Sequence, residues 1–182
     1  MSGPVIDPRH DIVERLEQSG IRYYVTGSEA MAAHGLGYRL TNDIDVVLDI
    51  EPGAYDVVVR PFFEPAYIVN ALLPTARRWL GSAIAIATVS KVDFVIRVRD
   101  PWGQAALARR LRIDDPALGD VWIATLEDVL LAKLEWAEGD LAGLQGKDIH
   151  RIIEAVPSLD RSYLDLQAAG LGLRDALDRA FA

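Results

Sequence analysis

The pattern of apolar positions switches between helical and strand character three times in the first fifty residues. Behind Asp7-Pro8, an N-cap followed by a first-turn proline, Ile12, Val13 and Leu16 recur on one helical face until Gly20. This spacing predicts a helix. Ile21 to Thr26 is β-branched and aromatic, the signature of a strand, and Gly27-Ser28 breaks it before a short helix from Glu29 to His34, closed by Gly35 and Gly37. From Asp43 to Ile50 the pattern alternates with period two. Asp43, Asp45 and Val47 fall on one face of this second strand and Ile44, Val46 and Leu48 on the other.

Further along, helical stretches are predicted near Tyr55 to Phe63 and Thr75 to Leu80, flanking a short apolar piece from Tyr67 to Val69. Ala83 to Thr88 and Lys91 to Arg99 read as two strands of an antiparallel hairpin. In the second, Val92, Phe94, Ile96 and Val98 alternate as the buried face, leaving Asp93, Val95 and Arg97 opposite. Asp100-Pro101 repeats the cap-and-proline signal before a helix through Arg110, and Val121 to Ala124 is a brief strand. Thr125 with Asp128 resembles a capping box opening a helix to about Glu138, its buried face drawn from Val129, Ala132, Leu134, Trp136 or their close neighbours. Helices are then expected at about Lys147 to Ala155, Asp160 to Ala169 and Leu173 to Phe181. The order predicts an α+β fold: a mixed β-sheet with flanking helices over residues 1–124 and a helical C-terminal part over 125–182, packed on that core.

Composition narrows the function classes. With 51% hydrophobic residues, 182 residues suffice for one packed core. Cysteine is absent, which removes thiol nucleophiles, thiolate metal sites and disulfides and fits a reducing cytoplasm. No segment has the basic start and apolar run of a signal peptide, and none approaches the roughly 18 apolar residues of a membrane span, so the expectation is a cytoplasmic chain without a membrane partner. A formal charge of -8 disfavours extensive wrapping of nucleic acid. Arg77, Arg78, Arg97, Arg99, Arg109, Arg110 and Arg112 concentrate in the middle third, where solvated surface is the plainer reading for most of them.

Against that background one constellation carries chemistry. Two carboxylates separated by one residue on a strand project to the same side, about 7 Å apart at the backbone, and can converge on hard cations such as magnesium. Asp43 and Asp45 have that spacing. Gly27 lets backbone approach a ligand, amides at the start of the following helix favour an anionic phosphate, and Ser28 adds a hydroxyl. Asp93 lies amid an apolar strand, either as a strand-edge acid paired with a nearby Arg or Lys, or as a third metal ligand or base.

These residues resemble the nucleotidyltransferase superfamily with the DNA polymerase β type fold, whose signature is Gly-Ser or Gly-Gly, then Asp-x-Asp on the next strand, then a later strand carboxylate. Within it the chain looks like small bacterial AbiEii-like nucleotidyltransferases, to which the segment ATLEDVLLAKLEWAEGDLAGLQGKDIHRIIEA is similar. The resemblance covers about Gly20 to Val156. It implies a nucleotidyltransferase-type mixed sheet, with Asp43, Asp45 and Asp93 as ligands of magnesium, two ions in all. It implies Gly27 and Ser28 on the β and γ phosphates of a nucleoside triphosphate such as ATP, and Lys133 and Asp148 facing the same cleft. Lys133 is suited to neutralise charge on the triphosphate or pyrophosphate, or is a snorkelling lysine; Asp148 orients Lys133, or caps the helix near Lys147. Arg39 and Thr41, just before Asp43, contact nucleotide or stabilise the loop. Gln145-Gly146-Lys147 departs from the more basic or aromatic run of relatives, which weakens any acceptor contact drawn there.

The implied reaction moves a nucleoside monophosphate to an RNA end, a protein hydroxyl or a small molecule such as an aminoglycoside, and the family adds a toxin-antitoxin role with a cognate antitoxin. The rival reading is a noncatalytic nucleotide-binding or interaction protein that keeps the fold; a weaker one is a metal-dependent phosphohydrolase. His10, His34 and His150 have no shared ligand spacing and read as structural or surface groups, and the four tryptophans as core or helix-packing residues.

Overall fold

The computed structural model describes residues 7–38, 43–97, 100–138 and 140–182. The elements run α1 (Pro8–Ser19), β1 (Tyr23–Thr26), α2 (Gly27–Ala33), β2 (Asp43–Leu48), α3 (Tyr55–Val58), α4 (Arg60–Phe63), β3 (Tyr67–Val69), β4 (Leu73–Pro74), β5 (Arg78–Ala85), β6 (Lys91–Arg97), α5 (Pro101–Arg109), β7 (Leu111–Asp115), β8 (Gly119–Ile123), α6 (Leu126–Ala137), α7 (Leu144–Ala155), α8 (Arg161–Leu171) and α9 (Arg174–Ala180). The eight strands of the described residues join one sheet in the order β3-β5-β6-β2-β1-β8-β7, with β4 pairing β5 off that path. β2 runs parallel to β6 and β1 parallel to β8, and the remaining pairs are antiparallel, so the sheet is mixed. The α+β expectation is met.

Each face of the sheet carries an apolar core. On one, Ile44, Val46 and Leu48 of β2 and Val92, Phe94 and Ile96 of β6 pack under α1, α3 and α4, where Phe63 meets Phe94 edge-on at 5.3 Å. Complete burial of such a side chain is worth roughly 1.5–3 kcal/mol, which is what fixes the register of both strands. The other core joins Tyr24 and Met31 to Trp102 of α5 and to buried residues of α6 to α9, so the C-terminal helices share their packing with α2 and α5. No helix among the described residues is long and apolar enough to cross a membrane.

The cap signals mark the right helix ends. Asp7 accepts from the Arg9 amide at 2.9 Å, Gly20 takes the left-handed conformation, and Asp100 accepts from the Gly103 amide. Three readings need correction. The helix expected near Thr75 to Leu80 is a β-hairpin: Thr75 bonds back to the Arg78 carbonyl through both amide and hydroxyl, and β5 starts at Arg78 rather than Ala83. Thr75-Ala76-Arg77-Arg78 has no glycine or Asn-Gly punctuation to betray this turn. The edge strand β7 was not expected, because its largely exposed side chains give no alternation of burial. Trp136 is 45% exposed, its ring covered by the Arg78 guanidinium at 3.7 Å, and Val129, Leu130, Leu131 and Leu134 form the buried side of α6.

Candidate active site

The site grows from the register of three central strands. Asp45 stands directly beside Thr26 of β1 and Asp93 of β6, and Asp43 stands beside Lys91. Residues paired across neighbouring strands project to the same side, as do residues two apart on one strand. Asp43, Asp45 and Asp93 therefore share one face, with Lys91 among them, while Ile44, Val46, Val92 and Phe94 fill the core behind. Asp93 also realises the plainer alternative, since its Oδ2 accepts from Lys91 Nζ at 2.7 Å.

Gly27 closes the near side. Its φ is +65°, and a Cβ built there would lie 3.1 Å from Asp45 Cγ and closer still to Oδ2. Only glycine satisfies the left-handed backbone and the contact with the carboxylate together. Ser28 follows in the first turn of α2, a seven-residue helix. Burial holds the Asp45 carboxyl above its ordinary pKa, and the charges of Asp93 and Asp43 push the same way against the attraction of Lys133 and Lys91.

Helices α6 and α7 supply the cation. Lys133 Nζ donates to Asp148 Oδ2 at 2.5 Å and to Gln145 Oε1 at 3.3 Å, and the Tyr38 hydroxyl donates to Asp148 Oδ1 at 2.5 Å. Lys133 is 4% exposed and Asp148 fully buried, so this lysine does not snorkel. Nor does Asp148 cap α7, whose N-cap is Gly143. A narrow crevice lined by Ser28, Tyr38 and Asp148 joins the Gly-Ser turn to the pair. The Gln145-Gly146-Lys147 departure has a packing reason: a Cβ at Gly146 would collide with the Leu141 carbonyl, and Gln145 is the second partner of Lys133. Arg39 and Thr41 lie outside the described residues.

The carboxylates suit a hard divalent cation in donor chemistry, in charge and in the side of the sheet they occupy. As their side chains stand, no three carboxylates or imidazoles among the described residues converge to hold an ion. One Asp93 oxygen is engaged by Lys91 instead.

Beyond Asp45 on the same strand, Val47 opens into a cleft of ≈ 760 Å³ lined also by Tyr24, Trp79, Arg97, Gln104 and Leu107. Arg97 is held there by Glu135 and Asp100 and stacks over Trp102 at 4.1 Å. Other arginines of the middle third are likewise engaged with acids: Arg78 with Glu135, Arg109 with Glu127, Arg112 with Glu17 and Asp120. His10 and His34 are structural, bonded to the carbonyls of Leu118 and Ala124.

Sequence reasoning missed Lys91, Tyr38 and Gln145. Lys91 had a readable signal, its position two before Asp93 on one strand face. Tyr38 depends on a contact with Asp148 across 110 residues, and Gln145 on the packing of α7 against α6.

Compared by sequence, the chain matches no family profile and no curated protein. Compared by structure, it is similar to the antibiotic-resistance factor ANT(2'')-Ia, with 15% identity, a TM-score of 0.58, and coverage of 94% of this chain and 90% of that one. It is also similar to a Thermotoga maritima protein assigned as a nucleotidyltransferase, with 22% identity, a TM-score of 0.54, and coverage of 72% of this chain and 83% of that one. At these identities the likeness concerns architecture: the eight-stranded mixed sheet and its flanking helices form a nucleotidyltransferase-type fold.

Proposed function

We propose that this chain is a magnesium-dependent nucleotidyltransferase that moves a nucleoside monophosphate from a nucleoside triphosphate to an acceptor. The observation that carries this reading is the direct register of Asp45 with Asp93, two residues from Asp43 and against the backbone of Gly27. Asp43, Asp45 and Asp93 would hold magnesium, which when bound supplies positive charge for the entering and leaving oxygens. The Gly27-Ser28 turn receives the β and γ phosphates through its backbone and the Ser28 hydroxyl. Lys133, aimed by Asp148, Gln145 and Tyr38, offsets charge on the departing pyrophosphate. The acceptor oxygen forms its bond to the α-phosphorus as the bond from that phosphorus to the pyrophosphate oxygen breaks, and the acceptor proton passes to Asp93.

The cleft beyond Val47 is large enough for a nucleoside or a small acceptor. Its neighbour's part in antibiotic resistance makes an aminoglycoside-like small molecule the first acceptor to test, before RNA ends and protein hydroxyls. A cognate antitoxin rests on the AbiEii-like sequence resemblance alone and is tested by co-purification with the product of the adjoining gene.

A second reading, a noncatalytic nucleotide-binding protein, is favoured by the Lys91–Asp93 ion pair. Incubating the chain with each labelled triphosphate and magnesium in cell extract separates the two. Transfer of label that Asp43→Ala with Asp45→Ala abolishes supports the enzyme; nucleotide binding by calorimetry without turnover supports the sensor.

A further inference from the structure

We propose that the Lys91 ammonium is a tethered counter-cation of the carboxylate face, which engages Asp93 in the metal-free protein and is displaced by the incoming divalent ion. The inference rests on the metal site proposed above and assigns a role to a residue that the reaction itself does not use. Lys91 is the register partner of Asp43 and lies two residues before Asp93, so one side chain reaches across the face that all three acids share. Its Nζ is 2.7 Å from Asp93 Oδ2, and its charge acts on Asp43 and Asp45 as well.

Exposure decides whether such a pair can open. The side chains of Lys91 and Asp93 are 35% and 34% exposed, whereas those of Lys133 and Asp148 are 5% and 1% exposed. A solvent-open ion pair contributes little to stability, so a doubly charged ion coordinated by several oxygens outcompetes it easily. Opening the buried Lys133–Asp148 pair would instead strand two charges without solvent. Lys133 therefore stays as a fixed cation and Lys91 is the exchangeable one. In the metal-free state Lys91 relieves repulsion among the acids, and it sets a threshold that a divalent ion must exceed.

The test measures Mn²⁺ binding to the full chain, without nucleotide, from the electron paramagnetic resonance signal of the free ion. Wild type is compared with Lys91→Ala, Lys91→Gln, Lys91→Arg and the distant Arg174→Ala, and melting is followed in EDTA and in Mn²⁺. Lys91→Ala and Lys91→Gln are expected to tighten Mn²⁺ binding roughly tenfold, to melt lower than wild type in EDTA, and to gain more from Mn²⁺. Lys91→Arg should stay near wild type because it keeps the tethered charge, and Arg174→Ala should not tighten binding. If binding occurs but both neutral variants leave it unchanged or weaken it, or Arg174→Ala tightens it equally, the counter-cation role is overturned while the metal site stands. If neither wild type nor any variant binds Mn²⁺, the metal site and the inference built on it both fall.

Discussion

Gly27 touches the carboxyl group of Asp45 so closely that its missing side chain is part of the site. The contact joins the residue that follows β1 to the middle of β2 and ties the Gly27-Ser28 turn to the face that carries Asp43, Asp45 and Asp93.

Gly27→Ala tests that relationship. The new Cβ imposes a left-handed penalty of about 1–2 kcal/mol and pushes on the Asp45 carboxyl. Displacing a reacting group by about 1 Å costs on the order of 100-fold in rate, so nucleotide transfer should fall by roughly that factor while the melting temperature drops only a few degrees. Transfer at the wild-type rate in a folded Gly27→Ala protein would remove the glycine from the site.

Asp45 should oppose folding in the metal-free protein. Burial and its acidic neighbours raise its folded pKa above the unfolded value, so the folded state binds the proton more tightly. Stability from this group is greatest below the unfolded pKa and is lost as pH rises through the folded one. Asp45→Asn should therefore melt above wild type in EDTA at pH 7, by roughly 2–4 °C for a gain on the order of 1 kcal/mol, and the gap should shrink toward pH 4. The same variant should lose transfer activity. Equal or lower melting at pH 7 would contradict this account of Asp45.

Much of this geometry was legible because it is local. Period-two alternation put Asp43 and Asp45 on one face and Asp93 opposite Val92 and Phe94, and β-pairing then had few ways to arrange them. Asp128 shows where such reading stops. In sequence it is a capping partner of Thr125, yet it also accepts from Trp102 Nε1 at 2.8 Å and the Tyr163 hydroxyl at 2.6 Å, tying α5 and α8 to α6. Those donors lie 26 residues before it and 35 after, and no local period encodes that meeting. β5 escaped for another reason, since Arg78 is buried by its contacts with Glu135 and Trp136 on α6.

The Lys133–Asp148 pair predicts a strongly non-additive cycle. Removing either partner leaves the other buried and charged, at a cost of about 3–5 kcal/mol, whereas Lys133→Met with Asp148→Leu removes both charges together. The double variant should therefore recover at least half of either single loss in urea denaturation. It should not recover transfer, because Lys133 is assigned to the departing pyrophosphate. Additive losses would show that the two residues act separately.

Gln104 offers a probe of the large cleft that leaves the acidic face untouched. It is exposed on α5 and lines the opening beside Val47, so Gln104→Trp narrows the space without creating a cavity or burying a charge. Stability should stay within about 0.5 kcal/mol of wild type. If the acceptor lies in this cleft, its KM should rise roughly tenfold while Mn²⁺ affinity and the triphosphate KM hold, because a steric change there does not reach Gly27 or Lys133. If the nucleoside lies there instead, the triphosphate KM should rise and the acceptor KM should hold. Steady-state kinetics with each substrate varied in turn distinguishes these outcomes, and a variant with both constants unchanged would place both substrates elsewhere on the carboxylate face.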